Sequence, residues 1–154
     1  MEISDFLKSE SIYVGLRATS KKQALQELAH RAADITDLHE RTIFDVLLER
    51  ERLGTTGVGK GIGIPHGKLA DLECLHGVFA RLDPPVDFES VDDQPVDLIF
   101  LLLAPESAGA DHLKALARVS RLLRDAKVCD RLRTSDDGDS IFALLTAGTA
   151  SHAA

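Results

Sequence analysis

Hydrophobic positions in this chain recur at two different spacings, and the alternation between them outlines the elements. Ile12-Tyr13-Val14-Gly15-Leu16 is rich in the bulky side chains that suit a pleated surface and predicts a first strand. Ala24, Leu25, Leu28, Ala29 and Ala32 then repeat at helical spacing behind a Ser20 and Gln23 capping box, predicting a helix of about four turns. Asp37 with Glu40 repeats that N-terminal pattern. Ile43, Val46, Leu47 and Leu48 supply an apolar stripe, and Gly54 stops this second helix as a left-handed C′ residue.

A short apolar segment at Ile62 to Ile64 and longer ones at Cys74 to Leu82 and Val96 to Ala104 read as further strands. The last is apolar on both alternating faces and belongs in the centre of a covered sheet. Pro84-Pro85 and Asp92-Asp93 predict the loop between the two longer strands. Leu113, Leu116, Ala117 and the run from Ser120 to Leu123 predict a third helix. A shorter one follows from Lys127 to Arg133, and Ser135 caps a last one with Asp136 and Asp137 in its first turn.

This order, without linker or repeat, predicts a single three-layer α/β/α domain over residues 1–147 with a mixed sheet of roughly four to five strands. Residues 148–154 are expected to form a flexible tail.

Composition narrows the function classes. With 154 residues, 44% hydrophobic positions and a mean hydropathy of −0.03, the chain can bury one core. Its formal charge of −7 argues against a generic nucleic-acid binder, which needs a net basic face. The longest apolar run, Leu98 to Ala104, is far short of the roughly 20 residues that span a bilayer. Glu2, Asp5, Lys8 and Glu10 interrupt any apolar leader, so a cytoplasmic protein is expected, with no membrane insertion. Two distant cysteines, Cys74 and Cys129, suit a reducing compartment and do not make a disulfide scaffold.

The chemistry concentrates in GTTGVGKGIGIPHG, residues 54–67, where six glycines let backbone approach a ligand closely. Gly54-x4-Gly59-Lys60 imitates a P-loop, but Gly61 stands where the magnesium-binding hydroxyl belongs, and the loop leaves a helix instead of entering one. His66 closes this segment at the end of a predicted strand, between Pro65, which fixes the backbone, and Gly67, which frees it. The bland reading is a surface histidine after a strand. Against it, residues 49–68 hold four bases and two acids inside an acidic protein, which favours an anion near His66.

His112 sits at the start of the third helix, where orphan amides attract an anion or hold a second imidazole. Cys74-x-His76 is at most half a metal site and is expected to pack or face solvent, so no metal is expected. No Gly-x-Ser-x-Gly elbow and no His-Glu-x-x-His pair occurs, and His30, His39 and His152 read as surface residues.

GVGKGIGIPHG at 57–67, led into by LLERERLGTTG and followed by QPVDLIFLLLAP and DHLKALARVSRLL, resembles the mannitol/fructose-class (type-2) IIA components of the bacterial phosphoenolpyruvate-dependent phosphotransferase system. The likeness runs from about Ser4 to Leu145 and is nearest the nitrogen-regulatory branch. The resemblance implies that His66 accepts a phosphoryl group on Nε2 from an HPr-like phosphohistidine carrier, in this branch a nitrogen-dedicated homologue (NPr). It also implies phosphorylation-dependent regulation of target proteins such as transporters or sensor kinases. Arg50, sixteen positions before the histidine, and His112 in Asp-His-Leu would flank the phosphate as catalytic residues.

The Gly54 to Gly59 loop, with Thr55, Thr56, Gly57 and Gly59, would support the phosphate, and no cofactor is required. Gly63 departs from the alanine common in the family. Two other readings stay open: a sugar-specific IIA that passes its phosphate to a IIB cysteine, and a non-catalytic anion-binding interaction module.

Overall fold

The computed structural model describes residues 1–147; the expected tail at 148–154 lies outside the described residues. After two 3₁₀ turns come β1 (Ile12–Leu16), α1 (Lys21–Thr36) and α2 (Glu40–Arg52). Three short strands follow, β2 (Gly57–Gly59), β3 (Ile62–Gly63) and β4 (His66–Leu69), then the long β5 (His76–Val86) and β6 (Val96–Pro105). The chain ends in α3 (Ala110–Leu123), α4 (Ala126–Thr134) and α5 (Gly138–Thr146).

The sheet is mixed and six-stranded, in the order β1-β5-β6-β3-β2, with β4 also paired to β6. β5 and β6 are antiparallel, whereas β1 on β5, and β3 and β4 on β6, are parallel. β6 explains the layers. Ile99, Leu101 and Leu103, all fully buried, face a core shared with α1 and α2, and Leu98, Phe100 and Leu102 face one shared with α3, α4 and α5. Alternation on a doubly covered strand therefore yields α/β/α.

Several local expectations shift. Asp37 does not start α2; it ends α1 in the left-handed region, φ 60°, with its N–H donating to the Ala33 carbonyl. Ser135 likewise ends α4, and Asp137 caps α5 by accepting from the Ser140 amide at 2.7 Å. An aspartate serves either end of a helix, so its position alone is ambiguous.

Pro84 and Pro85 lie inside β5, where the register to β6 shifts between Arg81 and Val86, an irregularity that tolerates residues without an N–H. The glycine-rich segment holds more strands than one because Pro65 cannot donate to a ladder and the Ile64 amide donates to the Thr56 carbonyl at 3.0 Å. The pairing with β6 is interrupted there and resumes at His66, opposite Leu102. His66 thus opens a strand where the pattern predicted that it would close one.

Candidate active site

His66, Arg50 and His112 come from three different elements and meet at one end of the sheet. His66 is the first residue of β4, Arg50 lies in the last turn of α2, and His112 is in the first turn of α3. The imidazole of His66 is held at both nitrogens. Nδ1 lies 2.9 Å from the Ile64 carbonyl, which can only accept, so Nδ1 carries the proton and donates. Nε2 is then a bare acceptor, and Arg50 Nε–H donates to it at 3.2 Å.

Arg50 is itself steadied, because its Nη1 donates to the Gly54 carbonyl at 2.9 Å just past the helix end. Gly54 has φ 149°, the positive-φ C′ position expected from the sequence. α2 can approach β4 closely because residue 67 is glycine: a Cβ there would lie 2.5 Å from Cγ1 of Val46.

The His112 ring stands edge-on to that of His66, with centroids 5.7 Å apart and planes at 79°. His112 is only 6% exposed, and its Nε2 has no hydrogen-bond partner among the described residues. With Leu53, Val46 and Lys68, the three residues line an open depression of about 400 Å³.

Burial, and secondarily the Arg50 charge, hold the His66 pKa below the ordinary histidine value, against the opposing bond to Ile64. Burial and then the charges of His66 and Lys68 lower that of His112 as well. Of the two acids in the basic window, Glu49 pairs with Arg52 at 3.1 Å and Glu51 with Lys21 at 2.8 Å. The depression therefore presents an unprotonated Nε2 beside a guanidinium and an ammonium, with Glu49, paired to Arg52, also in its lining.

The remaining predicted residues build the loop beneath this group. Thr55 Oγ1 donates to the Phe88 carbonyl at 2.8 Å and accepts from the Gly57 amide at 3.0 Å. Thr56 gives its amide (3.0 Å) and its hydroxyl to the carboxylate of Glu51. Gly59, at φ 105°, brings the β2–β3 turn against Asp92, which accepts from the Lys60 amide at 2.8 Å.

A sequence model of the family described as phosphoenolpyruvate-dependent sugar phosphotransferase system, EIIA 2, matches residues 5–148. The chain is a member of this EIIA family. It is 61% identical to a nitrogen regulatory protein of Bradyrhizobium diazoefficiens over 145 residues, 94% of this chain and 95% of the relative. Against the nitrogen regulatory protein of Escherichia coli the identity is 37%, covering 95% and 90%. The crystal structure of nitrogen regulatory protein IIA-Ntr from Neisseria meningitidis superposes with a TM-score of 0.89 at 33% identity, over 94% of this chain and 99% of that one.

As an EIIA domain the chain is a phosphotransferase-system component with an α/β fold shared with IIA-Ntr. No helix among the described residues is long and apolar enough to cross a membrane. Among those residues no group of three or more His, Cys, Asp or Glu side chains is placed to hold a metal; Cys74 Sγ and His76 Nε2 lie 3.5 Å apart as an isolated pair.

Two features of this EIIA site were not anticipated. The buried Glu51, 9% exposed, ties α1, α2 and the loop together through Lys21 and Thr56. Its only sequence signal is an acid between Arg50 and Arg52. The contact of Gly67 with α2 was equally hidden, since the glycine reads as freedom after His66 and in fact serves close packing.

Proposed function

We propose that this EIIA protein is a cytoplasmic phosphocarrier and regulatory component of a nitrogen-related phosphotransferase system, with His66 as phosphoryl acceptor. The observation that carries the reading is the bare Nε2 of His66, with Nδ1 bound to Ile64 and Arg50 at its acceptor side. The Nε2 lone pair attacks the phosphorus of a donor phosphohistidine on an HPr-like carrier, NPr in this branch. The donor N–P bond breaks, and its electron pair returns to the donor imidazole.

Charge on the transferring oxygens needs fixed donors. Arg50 shifts its N–H from Nε2 to a phosphoryl oxygen as the new bond forms, and His112, which lines the same depression, turns its Nε2, unpartnered among the described residues, to the phosphate. Thr55, Thr56, Gly57 and Gly59 support the phosphate indirectly, by setting the loop whose Gly54 carbonyl holds Arg50. No metal or nucleotide enters the scheme.

The added phosphate brings roughly 1.5 to 2 negative charges at neutral pH, which changes the surface that regulatory targets meet. High identity to nitrogen regulatory proteins supports this branch over sugar transport. The test is incubation with phosphoenolpyruvate, enzyme I and an HPr-like carrier, followed by intact mass. The wild type gains one phosphoryl group and His66→Ala gains none. Absence of uptake by the wild type, or uptake by His66→Ala, overturns the reading. Rapid onward transfer to a sugar-specific IIB cysteine would move the protein to the sugar branch.

A further inference from the structure

Away from His66, a second groove of about 420 Å³ runs between the β2–β3 turn and the C-terminal half of α3. Its apolar lining is Ile62, Ile64 and Leu123, each under 5% exposed, together with Val58, which is 53% exposed. Two exposed cations, Lys60 and Arg124, complete it. Arg121 and Lys127, three positions before and after Arg124, are exposed too. None of these four bases forms an ion pair among the described residues. Residues 114–133 as a whole carry seven bases and two acids.

Lys60 is placed there against local preference. It has φ 58°, a region that glycine or asparagine enters far more readily, and its neighbours Gly59 and Gly61 also have positive φ. The turn is held from two sides. Asp92 accepts from the Lys60 amide at 2.8 Å, and Arg133, paired with Asp97, donates to the Lys60 carbonyl at 2.8 Å. A strained residue over-determined by its surroundings points to a use for its side chain, and here that side chain is a cation beside an apolar groove.

We propose that this groove is a docking site for an acidic, amphipathic segment of a partner protein, whose apolar side chains cover Val58, Ile62 and Ile64 while its carboxylates meet Lys60, Arg124 and Arg121. Charge complementarity selects the acidic partner, and the buried apolar lining selects side chains over phosphates. A nucleic-acid backbone is disfavoured because its phosphates and sugars would leave the apolar Ile62, Ile64 and Leu123 lining uncovered. The site is separate from the phosphoryl acceptor: Ser120, which lines the groove, is eight residues beyond His112 along α3, about 12 Å at the helical rise.

The test pans short random displayed peptides on the full chain. Enriched peptides are expected to combine aspartate or glutamate with leucine, isoleucine, valine or phenylalanine. Lys60→Glu with Arg124→Glu should weaken them by about tenfold or more, and so should Val58→Asp alone. His66→Ala should bind them like the wild type, which separates this inference from the phosphocarrier reading. Circular dichroism and thermal melts report that all the variants are folded.

Four outcomes overturn the proposal: no enriched peptides, enriched peptides that are basic or uncharged, undiminished binding to the double variant, or tighter binding of a single-stranded oligonucleotide than of the peptides. Loss of phosphoryl uptake in a folded double variant would assign the groove to the carrier, and concentration-dependent self-association lost in that variant would assign it to a second copy.

Discussion

Arg50 Nε lies 3.2 Å from Nε2 of His66 and donates to it, so the residue proposed to stabilise the transferred phosphate also favours the unprotonated form of the proposed nucleophile. Both effects are lost in Arg50→Ala. Removing one such donor commonly lowers a rate on the order of a hundredfold, and phosphoryl uptake should fall by about that factor. Arg50 also depresses the His66 pKa, after burial. Without it that pKa rises, so the acid limb of the pH–rate profile should move to higher pH. Single-turnover uptake from the phosphorylated carrier across pH checks both. An unchanged acid limb would show that Arg50 acts on the phosphate alone.

His112 should separate by substituent. Its Nε2 makes no hydrogen bond among the described residues, so its removal breaks no such bond in the fold while taking away the donor proposed for the phosphate. His112→Ala is expected to slow uptake by roughly tenfold to a hundredfold, and His112→Gln, which keeps a donor, to recover much of that. Equal rates for the two variants would place His112 in packing against His66 only.

The layers and the meeting of three residues were legible in the sequence for different reasons. β6 declared itself because seven successive apolar residues can only be covered on both sides. β1 matched its expected limits because its bulky residues sit between turn signals. Arg50 and His112 reached the site through their resemblance to the family, since spacing alone could not bring residues 50, 66 and 112 together. Helix boundaries at Asp37 and Ser135 failed because one side chain serves either end. The Gly54 to Gly59 loop was read as support for the phosphate, and nothing local reveals that Glu51 and Phe88 take the hydroxyls of its two threonines.

Two glycines close to His66 should respond in opposite directions to alanine. At Gly67 the new Cβ would stand 2.5 Å from Val46 Cγ1, so α2 must move and carry Arg50 with it. Gly67→Ala should lower both the melting temperature and the uptake rate. At Gly63 the nearest atoms are 3.4 to 3.7 Å away, and no unusual φ is required. Gly63→Ala should therefore add about 0.4–1 kcal/mol by restricting the unfolded chain, or roughly 1–4 °C in Tm, with uptake unchanged. Thermal melts of the two variants decide it.

Stability should fall in mild acid. His66, His76 and His112 all have folded pKa values below the ordinary 6.5, chiefly through burial. Below that unfolded value the unfolded chain binds more protons, so stability is fully present above about pH 6.5 and is lost as pH falls towards the folded values. His30 opposes this weakly, since its exposed pair with Glu40 raises its pKa. The urea midpoint should drop between about pH 7 and about pH 5, and His66→Gln with His112→Gln should flatten the slope. An unchanged slope in that variant would assign the acid sensitivity elsewhere.

The buried carboxylate of Glu51 connects stability to the site. It accepts from the Thr56 amide and hydroxyl and pairs with Lys21, whose ammonium also lies 5.0 Å from the centre of the Phe88 ring. Thr56→Val keeps the side-chain shape and removes one donor from a buried charge. That should cost about 1–3 kcal/mol, or roughly 2–12 °C in Tm. The loop that carries Gly54 is anchored by the same bonds, and the Gly54 carbonyl holds Arg50. The variant should therefore also slow uptake, and Thr56→Ser, which restores the hydroxyl, should recover the rate. Melting curves and single-turnover uptake on the pair of variants measure the two effects. If Thr56→Val loses stability with no change in rate, the network supports the fold and leaves Arg50 in place.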